Sequence, residues 1–334
     1  MKKFVLFFFF IAQCALGQDL KLMTKELNVK TSVRGMSVVD DSVAWISGSS
    51  GWLGKTTNGG NSWSLNQIKG FEKAEFRTLY AFSATSVIVA NSGSPANILI
   101  TNDGGANWKT VYTNENKDAF FDGIDFWNEK EGIIYGDPIQ GKMLMLRTSD
   151  GGQHWEEVST SPMLEEGEAS FAASGTGIRC LKNKKIVIAT GGKVSRLWMS
   201  NDKGSHWSPI PVPMIHGEST TGIFSVSFWE DKKASVVGGD YVKDSLSIDH
   251  NFYTIDGGKH WLKPVVPTRG YRECVEYITE KLMIATGPSG TDISQDGGIN
   301  WKPLSDEKSF HVVRKARKGS LIIFAGNSKV AILK

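Results

Sequence analysis

Cysteine is scarce in this chain. There are three in 334 residues, no two of them form a C-x-x-C pair, and none is grouped with histidine at zinc spacing. That excludes a thioredoxin-type dithiol, a haem-attachment motif and a zinc ribbon. Histidine is hardly commoner, with six scattered copies. No G-x-G-x-x-G joins a strand to a helix, so the residues provide no dinucleotide cradle. Neither a cofactor nor a metal is expected. Long apolar runs are missing too: the longest is Phe4–Ala12, far short of the roughly 20 residues that cross a bilayer as a helix. No transmembrane segment is expected. The net charge is only +3, with no basic stripe for nucleic acid and no polybasic patch for a membrane.

The apolar run is informative by position. Lys2 and Lys3 precede it, and Ala15-Leu16-Gly17 follows as a small-residue cleavage site. This is the pattern of a secretory signal peptide over residues 1–17, cut near Gly17. The remaining chain, 18–334, is expected in the periplasm or outside the cell, where it would carry two cysteines, Cys180 and Cys274. Lipidation at Cys14 is the alternative, although Gln13 before it fits a lipobox poorly. Cys180 and Cys274 fall in non-neighbouring repeats, so they are expected as buried free thiols rather than a bridge.

What the chain has in abundance is one eight-residue phrase. It occurs six times: Thr56–Trp63, Thr101–Trp108, Thr148–Trp155, Ser200–Trp207, Thr254–Trp261 and Ser294–Trp301. All align without gaps as Ser/Thr-x-Asp-Gly-Gly-x-x-Trp, with Trp-to-Trp spacings of 45, 47, 52, 54 and 40. Repeats of that length around a Gly-rich turn indicate stacked four-stranded blades. Each position has a physical task. Asn58, Asp103, Asp150, Asp202, Asp256 and Asp296 supply a side-chain acceptor for turn N–H groups, and the glycines supply positive φ. The hydroxyl closes the turn and the Trp packs beneath it. These six residues are therefore expected to be structural staples. Asn58 replaces the Asp in one copy and Lys203 the first Gly in another, and looser turns are expected there.

Short β-rich runs precede each phrase: Ser42–Ile46, Ser86–Ala90, Gly132–Tyr135, Ile186–Thr190, Ala234–Val237 and Leu282–Thr286. A seventh set, Phe310–Val313, Leu321–Ala325 and Val330–Leu333, has three strands and no phrase. An edge left open there would invite aggregation, and Leu20–Val29 is the available donor. The expectation is an all-β, seven-bladed β-propeller of four-stranded antiparallel blades, closed by an N-terminal strand added to the last blade. It forms one domain and is expected as a monomer.

In such a meander the phrase joins the third and fourth strands, so all six copies lie on one face. The opposite, box-free face carries the irregular polar loops and surrounds one mouth of the central channel, which makes it the expected site. Arg34, Arg77, Asp122, Arg272 and His311 stand near the starts of inner strands. Loop carboxylates nearby are Asp137, Glu168, Glu218 and Asp240, and Arg196 and Lys243 add cations. Mixed arginines and carboxylates at a concave mouth suit a protein or carbohydrate ligand, although such charges can also pair to hold blades in register.

The repeated phrase resembles the Asp-box, or BNR repeat, of sialidases, sortilins, xyloglucanases and the photosystem II stability/assembly factor family. With Val33-Arg34-Gly35 and Phe76-Arg77 at blade starts, nearly the whole mature chain is similar to that last family. It looks closest to the secreted non-photosynthetic bacterial branch, often labelled "oxidoreductase". The resemblance implies a non-enzymatic assembly factor that binds a partner polypeptide, with blade-start arginines contributing a basic patch. Arg34, Arg77 and Arg272 match that feature, whereas Asp122, Phe224 and His311 interrupt it.

The enzymatic alternative is a glycoside hydrolase resembling sialidases. It would draw an arginine cluster from Arg34 or Arg77, Arg196 and Arg272, with Tyr271 as nucleophile and Glu218 as its partner. A broader version takes an acid/base pair from Asp137, Glu168, Glu218 and Asp240.

Overall fold

Short valine- and isoleucine-rich runs form strands because branched side chains pack well on a pleated surface buried on both sides. Val87–Ala90 and Ile186–Ala189 are buried at every position, whereas the outer strand Ser64–Gln67 is mostly exposed. A computed structural model describes residues 20–334. The signal peptide, its cleavage point near Gly17 and Cys14 lie outside the described residues.

Seven antiparallel sheets surround a channel. Their inner strands are Val33–Val38, Thr78–Ala81, Phe121–Phe126, Ile178–Cys180, Thr221–Trp229, Cys274–Tyr277 and Phe310–Lys315. The predicted second strands are all present, the longest extended to Gly132–Ile139 and Lys233–Asp240. In the fifth blade the outer strand is reduced to one bridge, Tyr253 to Leu262. No helix long and apolar enough to cross a membrane occurs among the described residues.

Alternation along each strand splits the core into layers between blades. Ile88 packs with Ile124, Ile134 and Trp155 of the third blade, while Val87 and Val89 pack with Trp45 and Leu53 of the first. The ring closes as expected. Leu22–Glu26 pairs antiparallel with Lys329–Leu333, from Leu22 opposite Leu333 to Glu26 opposite Lys329. The last blade thereby gains its fourth strand.

The repeated turns are built from local bonds. The Thr101 hydroxyl donates to Asp103 Oδ1 at 2.8 Å and accepts the Gly105 N–H at 3.0 Å. Asp103 Oδ1 accepts the Asn107 N–H at 2.9 Å, while Gly104 and Gly105 sit at φ 77° and 90°. Trp155, Trp207 and Trp301 donate their indole N–H to the second glycine's carbonyl.

The two divergent copies are not looser, contrary to expectation. Asn58 Oδ1 accepts the Ser62 N–H at 2.9 Å, because an amide oxygen presents the same acceptor as a carboxylate. Lys203 adopts φ 58° and reaches back to pair with Glu131 beside Trp127. That neighbouring contact supports the left-handed backbone a lysine otherwise resists. Cys180 and Cys274 are free thiols.

Candidate ligand-binding mouth of the channel

The inner strands do not enter the sheet evenly. Pairing slips between Val33 and Gly35, Phe121 and Gly123, Ile223 and Ser225, and Phe310 and Val312. The extra residue at each slip is Arg34, Asp122, Phe224 and His311. A bulge of this kind re-aims one side chain without disturbing the rest of the strand. Arg77 and Glu273 occupy the matching place, just before the inner strands of the second and sixth blades.

Two loops complete the mouth. Glu168–Ala169 pairs with Gly191–Gly192, and Gly191 pairs with Gly222 of the fifth blade. This ribbon carries Phe171 over the channel, where its ring stacks on Phe224 at 3.8 Å, 8° from parallel. Tyr271 meets Phe224 edge-on at 4.8 Å. The result is an open cavity of about 520 Å³. Phe120, Phe171, Phe224, Tyr241 and Tyr271 form an aromatic wall, and the ionisable lining is Arg34, Arg77, Asp122, Asp137 and Glu273.

These charges differ in what they already hold. Glu273 is a hub: it takes Arg34 at 3.2 Å, His311 Nδ1 at 2.5 Å and the Tyr271 hydroxyl at 3.4 Å. Burial works against its ionisation, yet Arg34 and His311 bring the carboxyl below its ordinary value. Arg34 also donates to the Ala173 carbonyl. Arg77 is freer, its nearest acidic partner being Glu75 at 3.8 Å, and its buried Nε has no hydrogen-bond partner. Asp122 is 1% exposed, and neither of its oxygens has a partner. Burial first, and then the neighbouring Asp137, push its carboxyl well above the usual range against the pull of Arg77. Asp137 accepts the Ser170 N–H at 3.1 Å, and burial raises it as well.

Several expected site residues are employed elsewhere. Arg272 does not face the channel. It is fully buried and bonded to Asp292 at 2.5 Å, to the Tyr271 carbonyl and to Ser289. One residue of register exchanges the two sides of a strand, so Glu273 occupies the place expected of Arg272. Glu168 is buried and spends its oxygens on Thr190, Arg196 and the Trp198 indole. Arg196 is correspondingly held by Glu165 and Glu168. His311 lies behind the cavity, between Glu273 and Asn327. Asp240 is 3% exposed and caps the Val242 N–H, while Glu218 and Lys243 are exposed outside the cavity lining.

Tyr271 lines the cavity beside Glu273, not Glu218. Burial, reinforced by Glu273, raises its phenol well above the ordinary value, which is the wrong direction for a nucleophile. Sequence reasoning missed Glu273, Phe120, Phe171 and Tyr241. The adjacent pair Arg272-Glu273 was the available signal, since one of the two had to face the channel.

Comparison with known proteins agrees with this architecture. The family model for the photosynthesis system II assembly factor YCF48 matches residues 18–116 and 91–178. A photosystem II assembly lipoprotein Ycf48 from Synechococcus is 22% identical over 321 residues, covering 91% of this chain and 88% of its own length. A solved structure of YCF48 bound to D1 peptide superposes with a TM-score of 0.69 at 16% identity, covering 94% of this chain and 96% of that one. The xyloglucanase of Xanthomonas campestris shares the fold at a TM-score of 0.59 and 12% identity, over 91% of this chain and 59% of its own. The chain is thus a BNR-type propeller similar to the photosystem II assembly factors.

Proposed function

We propose that this chain is an exported, non-catalytic scaffold that captures a segment of a partner protein at the box-free mouth of its channel. The observation that carries the reading is the combination of an open aromatic cavity with Arg77 only loosely held at its rim, 3.8 Å from Glu75. Aromatic side chains and arginine are the residues that most often anchor protein interfaces. The YCF48 structure with its D1 peptide supports a polypeptide as the ligand class. Further support comes from the carboxylates: Glu168 is consumed by Arg196 and Trp198, and Glu218 lies away from the cavity. Export through the residue 1–17 leader places the propeller beyond the inner membrane. The Synechococcus relative is a lipoprotein, so an anchor at Cys14 is the variant of this localisation; the mass of the mature N-terminus separates the two.

A photo-crosslinking residue at Tyr241, beside the mouth, tests the reading against one at Asn107, on the box face. In producing cells the first is expected to give a discrete protein adduct that weakens in Arg77→Ala. Equal crosslinking from both faces would place the site elsewhere.

Glycoside hydrolysis is the second reading, and one observation favours it. Asp122 and Asp137 line one cavity, and burial raises the proton affinity of Asp122 well above the ordinary value, as the general acid of such a pair requires. Turnover of sialoside, hexoside or pentoside reporters that disappears in Asp137→Asn would replace the scaffold reading.

A further inference from the structure

Asp122 presents a problem that the fold does not solve. Its carboxylate is enclosed at the cavity wall, yet no backbone N–H, hydroxyl or cation bonds to either oxygen. An ion so placed is costly, and buried carboxylates in folded proteins are ordinarily paired. Its surroundings deepen the deficit. Asp137 stands close enough to raise it, and the nearby Tyr135 hydroxyl is also without a partner. Arg77, on the next blade, lies beyond bonding distance of Asp122. The groups that hold Arg34 and His311 belong to Glu273, on the other side of the ring. The mouth therefore has two halves. One is an internally neutralised cluster around Glu273, and the other is an acidic corner in which Asp137 holds the Ser170 N–H and Asp122 holds nothing.

Resting on the reading of this mouth as a polypeptide site, we propose that the captured segment carries a lysine or arginine whose side chain enters the corner formed by Asp122 and Asp137. An ammonium or guanidinium brings several N–H donors and a positive charge to two acceptor oxygens that have none. The aromatic wall of Phe171, Phe224 and Tyr241 lies across the same cavity and suits the aliphatic stem or an adjacent apolar residue. This polarity is opposite to a purely basic docking patch, which would select acidic segments through Arg34 and Arg77.

Selection of a random peptide library on the purified mature protein, followed by affinity measurement, tests the proposal. Peptides enriched by the wild type are expected to share one lysine or arginine. Replacing that residue by norleucine or citrulline should weaken binding about tenfold or more, the equivalent of a charged hydrogen bond. In Asp122→Asn the selection should lose its basic consensus. This variant removes no existing hydrogen bond, so its melting temperature should match or exceed that of the wild type. Enrichment of acidic peptides, or a basic consensus that survives in Asp122→Asn, overturns the inference while leaving the polypeptide site intact. Failure of the wild type to enrich any peptide overturns the polypeptide reading itself.

Discussion

The two ends of the channel are lined by the same seven inner strands, a few residues apart, and they are built on opposite terms. At the box-side end Arg179 pairs with Glu276 at 3.1 Å, Arg314 approaches the same carboxylate at 3.5 Å, and Arg317 bonds Ser37 while lying over the Tyr80 ring. The remaining cavity there is only about 80 Å³. At the box-free end the cavity is about 520 Å³, with Asp122 unpartnered and Arg77 loosely held. Charges at the closed end find one another across blades and hold the ring in register. At the open end Arg34 and His311 likewise gather on Glu273, but Asp122 stays without a partner and Arg77 comes no nearer than 3.8 Å to Glu75. Satisfied polar groups stabilise a fold, whereas a buried one left unsatisfied costs it free energy.

That contrast can be broken most sharply at the closed end. Glu276→Ala leaves Arg179 and Arg314 facing each other without their shared anion, and the expected loss is about 3–5 kcal/mol. Urea unfolding monitored by tryptophan fluorescence would reveal it, and a change near zero would mean that this network does not hold the blades. Arg272→Ala should cost less, about 1–3 kcal/mol, because buried Asp292 loses one of its two cations but keeps Arg269 at 2.7 Å. Peptide capture by the folded fraction should survive, because Arg272 does not line the cavity.

Changes in the turns should be smaller. Asp150→Ala removes the acceptor of the Gln153 and His154 N–H groups, at a cost of about 1 kcal/mol, with binding at the mouth unaltered. Loss of binding without loss of stability would put the site on the wrong face. Acid titration addresses the same turns. The Asn107 backbone N–H, followed by its side-chain amide and the Thr101 hydroxyl, brings Asp103 from 3.8 to about 2. Its stabilisation is therefore complete above 3.8 and fades as pH falls through about 2, a trend that Asp103→Asn should flatten.

The smallest effect has the opposite sign. Asp122 is raised from 3.8 in the folded state, so the fold binds its proton more tightly than the unfolded chain does. Its contribution is most favourable below 3.8 and is lost as pH rises toward the folded value. Asp137, Tyr135 and Arg77 face it, and Asp137→Asn should lessen the trend. Asp122→Asn should melt no lower than wild type at pH 8, and the difference between them should shrink toward pH 4. A variant that melts well below wild type would show Asp122 to be a structural residue.

Much of this architecture could be read from the chain because its determinants are local. Ser/Thr, Asp and the glycine pair satisfy one another within eight residues, so each turn is recognisable without its neighbours. Counting turns and β-rich runs then counts blades, and the unpaired edge of the last one identifies Leu22–Glu26 as its closing strand. Arg34, Arg77 and Asp122 were legible at the mouth because they stand where inner strands begin, and Asp137 because it falls toward the far end of a second strand. Arg272 and Glu168 were not, since both have the composition of a site and the surroundings of a core.

By itself, then, the sequence determined the repeat, its turn chemistry and the closure of the ring, all of which rest on contacts within a blade or on an edge that must be paired. Which side chain of each inner strand faces the channel, and whether it meets a partner there, was decided only by the tertiary structure. A bulge displaces the register by one residue, and one residue exchanges the two faces of a strand. Arg272 and Glu273 are adjacent in the chain. Packing of the fifth and sixth blades seals one against Asp292 and turns the other into the mouth.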